Sequence, residues 1–182
     1  AAREIRGHYE LHQHAAGLAG LRIDRIHPRQ GNYGALGDGI AHDQGAYVMT
    51  PTQVGTTSNW VAVAVGVGHK LALRSDGTLW SWGQGYYGEL GTGVSGMDIQ
   101  LSPVQVGTDT NWAYIEAGWY VSYALKTNGS LWGWGDNSFG VFDGTHDYSD
   151  IVVPLNISNG PFQVVSRVPW DQWSTVMLSG LP

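Results

Sequence analysis

The chain of 182 residues contains two consecutive copies of one unit. Residues 51–88 read PTQVGTTSNWVAVAVGVGHKLALRSDGTLWSWGQGYYG, and residues 103–140 read PVQVGTDTNWAYIEAGWYVSYALKTNGSLWGWGDNSFG. The two align without a gap at an offset of 52, and sixteen of 38 positions are identical. Pro51/Pro103, Trp60/Trp112, Gly66/Gly118, Leu73/Leu125, Gly77/Gly129, Trp80/Trp132, Trp82/Trp134 and Gly88/Gly140 all coincide. A period of this length marks stacked supersecondary units, each of which must lay its apolar face against a neighbour.

Each copy reads as β-structure. Val61–Val65, Leu71–Leu73 and Leu79–Trp82 alternate with period 2 and are rich in β-branched and aromatic residues. Asp76-Gly77 and Asn128-Gly129 lie between such runs and predict two tight hairpins with type I′ turns. Trp80 and Trp82 are two apart on a strand, so their rings share a sheet face, as do those of Trp132 and Trp134. Two indoles of about 150–250 Å² each cannot stay wet, and the sheet of the next copy is their natural cover. Trp60, Trp80, Trp82, Trp112, Trp132, Trp134, Gly77 and Gly129 are therefore read as scaffold, together with the series Tyr33, Tyr87 and Phe139 as core.

A four-stranded unit of about 50 residues that stacks on its own copies is a propeller blade. The order P-x-Q-V-G, N-W, a Gly before a short strand, A-L-[RK]-x-[DN]-G-[TS]-L-W-x-W-G and an aromatic-Gly pair resembles the repeat of the regulator of chromosome condensation family. Gln30–Gly39 resembles the loop that closes a blade in that family, and Leu21–Asp24 resembles a decayed Leu73–Asp76. Trp173 begins a further unit in phase with Trp60 and Trp112. The resulting expectation is an all-β fold of tandem four-stranded propeller-type blades, an incomplete β-propeller. It divides into an irregular segment or decayed blade over 1–30, a closing loop over 31–50, blades over 51–102 and 103–153, and the start of another over 154–182.

At 52 residues per unit, 182 residues supply about 3.5 units, whereas members of the family typically close seven, within the range of propellers generally. The chain is then a fragment of a longer protein, a protomer completing a ring with other chains, or a capped open stack. The first two are favoured, because an uncovered terminal sheet bearing Trp is an aggregation hazard.

Composition narrows the function classes. Charged residues are 13%, the formal net charge is −6, and Lys70 and Lys126 are the two lysines, so no basic face for nucleic acid or an anionic membrane is expected. Zero Cys excludes disulfides, a thiolate nucleophile and Cys-bound zinc. No run approaches the 18 apolar residues of a membrane span. Gly83-Gln-Gly85-Tyr-Tyr-Gly88 matches a dinucleotide fingerprint, but no helical pattern follows and Asn137 replaces Gly85 in the second copy; a blade-connecting turn is the reading.

His8, His12 and His14 form the densest imidazole cluster, but the order H-x-E-x-H displaces the Glu of a zinc-protease helix, and adventitious histidines are expected. Asp136, Asp143, Asp147 and Asp150 carry enough oxygen for calcium, yet their spacing is that of no EF-hand, and a solvated acidic loop is the default. No nucleophile elbow or carboxylate pair points to catalysis. No cofactor and no enzymatic activity are expected.

Positions that agree between copies serve the scaffold, while those that differ are free to serve a partner. Trp119 and Tyr120 replace Val67 and Gly68 at the turn after Gly118, and are candidate contact residues. Tyr86, opposite Ser138, and Trp170 follow. Packing of these rings against a flanking segment or the next blade is the alternative. Eukaryotic members of the family include an exchange factor for a small GTPase that docks on chromatin, and a secreted bacterial relative inhibits β-lactamases; both present loops from one face of the ring. Rigid tandem blades, few lysines, high Gly and aromatic content and no catalytic constellation together point to a non-enzymatic protein-interaction or structural module, on a cell exterior or a virion surface, that binds a protein partner or other copies of itself. The alternatives are a carbohydrate-binding propeller stacking sugars on Trp119 or Tyr120, and a regulator of a GTPase.

Overall fold

The computed structural model describes residues 13–18, 22–23, 33–41, 52–142, 144 and 150–157. Eleven strands occur among them, and no α-helix. They are β1 (Gln13–Leu18), β2 (Arg22–Ile23), β3 (Thr52–Gln53), β4 (Trp60–Val65), β5 (His69–Arg74), β6 (Leu79–Gln84), β7 (Ile99–Gln105), β8 (Trp112–Ala117), β9 (Val121–Lys126), β10 (Leu131–Gly135) and β11 (Ile151–Asn156).

Strands β4 to β7 form one antiparallel blade and β8 to β11 the next, each in sequential order. Among the described residues of the N-terminal segment, β1 pairs with the free edge of β4, and β2 pairs with β3. Strand β7 straddles residues 102 and 103. The sequence period and the sheets are therefore out of phase by one strand, with Pro103-x-Gln105 completing the blade before the one it introduces in sequence.

Alternation along the strands decides the core. Ala62, Ala64, Leu71, Leu73 and Leu79 occupy one face of the first blade and bury against Trp112, Ile115, Ala124 and Trp134 of the second. Small alanines opposite bulky indoles let the sheets approach closely. The other face of the first blade gathers Val54, Trp60, Val63, Ala72 and Trp82, with Trp80 packed at the margin. Trp60 meets Trp80 edge-on at 6.0 Å and Trp82 at 6.3 Å; Trp112 repeats the arrangement with Trp132 at 5.8 Å and Trp134 at 6.5 Å. Removing one such indole from water contributes roughly 4–6 kcal/mol as an upper bound.

The closing loops lock neighbouring blades together. Trp134 Nε1 donates to the carbonyl of Glu89 at 2.9 Å, and Trp82 Nε1 donates to that of Ala35 at 3.3 Å. Gly93 N donates to Val152 O, and Gly39 N to Leu101 O. Residues 33–41 thus clamp the first blade as residues 87–93 clamp the second. Gly37 and Gly91 sit at φ +70° and +69° directly beneath these indoles, where a Cβ would lie 2.7–2.8 Å from Trp Nε1. No larger residue fits there.

Candidate functional site

The two ends of the blades differ in chemistry. At the hairpin end, the motif [DN]-G-[TS]-L-W is a hydrogen-bond relay. Trp80 Nε1 donates to Thr78 Oγ1 at 2.8 Å, and Thr78 Oγ1 and N donate to Asp76 Oδ1 at 2.6 and 3.0 Å. Trp132, Ser130 and Asn128 repeat it at 2.9, 2.7 and 3.0 Å. The Thr78 bonds hold the Asp76 carboxyl below its usual range. Above the rings, the Arg74 guanidinium lies 3.7 Å from Trp80 and 4.6 Å from Trp60. Lys126 Nζ lies 3.8 Å from Trp132 and 4.7 Å from Trp112, and pairs with Asp109 at 2.7 Å. Each letter of the motif thus has a scaffold role, including the cation.

The hairpins correct the type I′ expectation. Arg74 N donates to Thr78 O, Gly77 N donates to Arg74 O, and the glycine takes φ +77°. Lys126, Ser130 and Gly129 (φ +84°) do the same. The loops therefore have three residues with Gly in the left-handed position of a G1 bulge. The carboxylate or amide at Asp76 and Asn128 favours this form by bonding two residues ahead rather than joining the glycine at positive φ.

The opposite end carries the strand-to-strand turns at 66–68 and 118–120 and the closing loops. Trp119 is 71% exposed there, and Tyr120, half-buried, meets Tyr87 of the first blade's closing loop at a tilt of 54° with centroids 4.8 Å apart. Tyr86 meets Tyr33 edge-on at 5.9 Å. Tyr33, Tyr86, Tyr87, Tyr120 and Trp119 hence form an aromatic row across three successive loops. Asp136 N donates to Tyr120 O, which brings the loop bearing Phe139 to the same end. The reading of Tyr33, Tyr87 and Phe139 as core is corrected: Tyr33 is half-buried, Tyr87 is 39% exposed and Phe139 is 79% exposed. Their shared aromatic character belongs to the loop surface, and the buried anchor of each closing loop lies three residues later, at Leu36, Leu90 and Phe142.

Between the blades lies a polar group that the sequence did not reveal. His69 Nε2 meets Ser122 Oγ at 2.9 Å, and Ser122 Oγ donates to Glu89 O at 2.8 Å, all fully buried. The serine hydrogen serves Glu89, so His69 donates to Ser122 as the Nε2–H tautomer and Nδ1 has no partner. Burial, and then the Lys70 charge, pushes the His69 imidazole down to about 3. Lys70 is buried beside it, and burial brings its ammonium down to about 8. Burial raises the Glu89 carboxyl to about 7; its Oε2 accepts from Tyr87 N at 2.7 Å, and its buried Oε1 has no partner. A Lys and a His interrupting an apolar strand, and a Glu between Gly88 and Leu90, were the signals available.

The remaining candidates are placed as follows. Gly83–Gly88 runs from β6 into a turn in which Gly85 N donates to Asp98 O, with no helix following. His14 falls in β1 opposite Ala62, while His8 and His12 lie outside the described residues. Asp136 bonds Ser138 through both N and Oγ, and Asp143, Asp147, Trp170 and Trp173 lie outside the described residues. Among the described residues no group of three or more His, Asp or Glu is arranged to hold a metal, and no helix is long and apolar enough to cross a membrane.

Comparison with known proteins agrees with this architecture. A family model of the regulator of chromosome condensation (RCC1) repeat matches residues 76–125, and a second model of that repeat matches 60–89 and 112–141. The chain is 33% identical over 106 residues to the human E3 ubiquitin-protein ligase HERC2, covering 58% of this chain and 2% of HERC2. It is 33% identical over 114 residues to the ultraviolet-B receptor UVR8 of Arabidopsis thaliana, covering 60% of this chain and 24% of UVR8. Among solved structures, human WBSCR16 superposes with a TM-score of 0.59 at 25% identity, over 68% of this chain and 32% of that one. Prp20p of Saccharomyces cerevisiae superposes with a TM-score of 0.60 at 24% identity, over 70% of this chain and 32% of that one, a likeness of fold. This chain therefore spans a minor part of each relative's length. Its matched stretch, residues 60–141, belongs to the regulator of chromosome condensation repeat family.

Proposed function

We propose that these blades form a rigid, non-enzymatic protein-interaction module, part of a larger propeller, that presents its closing-loop end to a protein partner. The observation that carries this reading is Trp119. Its indole is 71% exposed on a two-residue turn whose counterpart in the sister blade is Val67-Gly68, beside the ring pair Tyr87–Tyr120. The scaffold indoles are spent on packing, whereas this one is left over, and Trp and Tyr on rigid backbone are the residues from which interface hot spots are built. Neighbours in fold lend support: Prp20p is described with its binding to Gsp1p and histones, and yeast RCC1 (Prp20) is seen bound by Kap60. The ligase activity named for HERC2 belongs to a protein of which this chain matches 2%, and is not carried over.

The test is cross-linking of the full 182-residue chain in its source cells, compared with Trp119→Ala. A protein partner whose cross-links are lost in the variant supports the reading, and partners indifferent to Trp119 overturn it. A carbohydrate-binding surface is the second reading, because an exposed indole beside a tyrosine pair is also a sugar-stacking platform; glycan-array binding that persists in Trp119→Ala disposes of it.

A further inference from the structure

Resting on that reading, we infer that the partner segment docked at the closing-loop end is extended and rich in Arg and Lys. Charge is distributed unevenly between the two ends. At the hairpin end Arg74 and Lys126 stand with Asp76 and Asp109, two of each sign. At the closing-loop end the described charged residues are Asp38, Asp98, Glu116, Asp136, Asp150, the buried Glu89 and one cation, Lys70, which is 2% exposed. Among the described residues, that end shows solvent no Lys or Arg.

The negative charge is also concentrated. Burial and then the Asp136 charge raise the pKa of Asp150, and Asp150 in turn adds to the rise at Glu89. Carboxylates gathered at one end gain from a cation placed beside them. Next to them runs the aromatic row, with Trp119 and Phe139 the most exposed rings and Tyr87 packed against Tyr120. Rings of this kind are platforms for guanidinium and ammonium groups. The chain uses that chemistry internally, holding Arg74 and Lys126 within 3.7–4.7 Å of two indoles each at the hairpin end. A basic segment lying along the closing-loop end meets both demands, alternating contacts between rings and carboxylates. An acidic segment would meet repulsion, and a purely apolar one would take the carboxylate charge out of water without bringing a cation to it.

The experiment is fluorescence anisotropy on the full 182-residue chain with a short labelled peptide of alternating Arg and Gly, beside a Glu-Gly peptide of equal length. The Arg-Gly peptide is expected to bind, to weaken with added salt, and to lose about tenfold in affinity with Trp119→Ala or Asp150→Asn. Thr127→Ala, at the exposed hairpin end, is expected to leave binding unchanged. Equal binding of the Glu-Gly peptide overturns the inference, as does binding unaffected by both Trp119→Ala and Asp150→Asn. Failure of the Arg-Gly peptide to bind, while cellular cross-links still depend on Trp119, overturns the basic-segment inference and leaves the interaction-module reading standing.

Discussion

Trp134 donates its indole N–H to the main-chain oxygen of Glu89 at 2.9 Å, so that the side chain of one blade closes the loop of the blade before it. The same oxygen accepts from Ser122 Oγ at 2.8 Å, and both bonds are shielded from water. Trp134→Phe keeps an aromatic ring in the interface and removes one donor. The expected loss is about 1–3 kcal/mol, from the missing bond and the smaller ring together. Urea unfolding followed by circular dichroism measures it, and an unchanged midpoint would show that the bond contributes nothing.

Gly91 lies under that indole at φ +69°, where a Cβ would fall 2.8 Å from Trp134 Nε1. Gly91→Ala therefore combines backbone strain of roughly 1–2 kcal/mol with displacement of the ring. Gly107, also at positive φ (+62°) but with no atom near its would-be Cβ, isolates the strain alone. Thermal unfolding is expected to rank Gly91→Ala below Gly107→Ala; the reverse order would contradict the close approach.

Stability should depend on pH through two buried groups of opposite sign. The Glu89 carboxyl rises from 4.5 to about 7, so the folded chain keeps a proton that the unfolded chain has released, and stability falls as pH climbs between those values. The His69 imidazole falls from 6.5 to about 3, so the unfolded chain takes up a proton the folded one refuses, and stability falls as pH drops through that window. Glu89→Gln removes the first effect alone. Relative to the parent chain, it should gain of the order of 1–3 kcal/mol between pH 4.5 and 8. A constant difference between the two chains across that range would show that Glu89 titrates normally.

The hairpin relay predicts an exchange between blades. Asp76→Asn copies Asn128 of the second blade, whose Oδ1 accepts the same two bonds from Ser130. It should cost little, whereas Asp76→Ala strips two bonds and frees the hydroxyl that holds Trp80, at about 1–2 kcal/mol. Calorimetry that finds Asn as damaging as Ala would assign the position to charge rather than to hydrogen bonding.

The blades were legible because the chain states them twice. Period-2 alternation and the shared Trp60/Trp112, Trp82/Trp134 positions specify strands and a core face without reference to anything distant. The hairpin loop length is not legible in the dipeptide, because Asp-Gly and Asn-Gly serve both two- and three-residue loops, and here the side-chain relay through Thr78 or Ser130 accompanies the three-residue form. Identity between copies also misled: Tyr33, Tyr87 and Phe139 agree in type, yet they line the loop surface. The His69–Ser122–Glu89 contact joins residues from two blades at positions that are not equivalent in the repeat, since Val121 stands where His69 would recur. Such a contact exists only once the sheets are stacked.

The blades bury their repeated indoles against one another while leaving one indole of the second blade outward. Hydrogen exchange of the indole N–H groups, resolved by NMR in the full chain, tests it most directly. Trp82 and Trp134 should exchange only on global unfolding, and Trp119 should exchange at once. Rapid exchange at Trp134, or protection at Trp119 in the free chain, would contradict it.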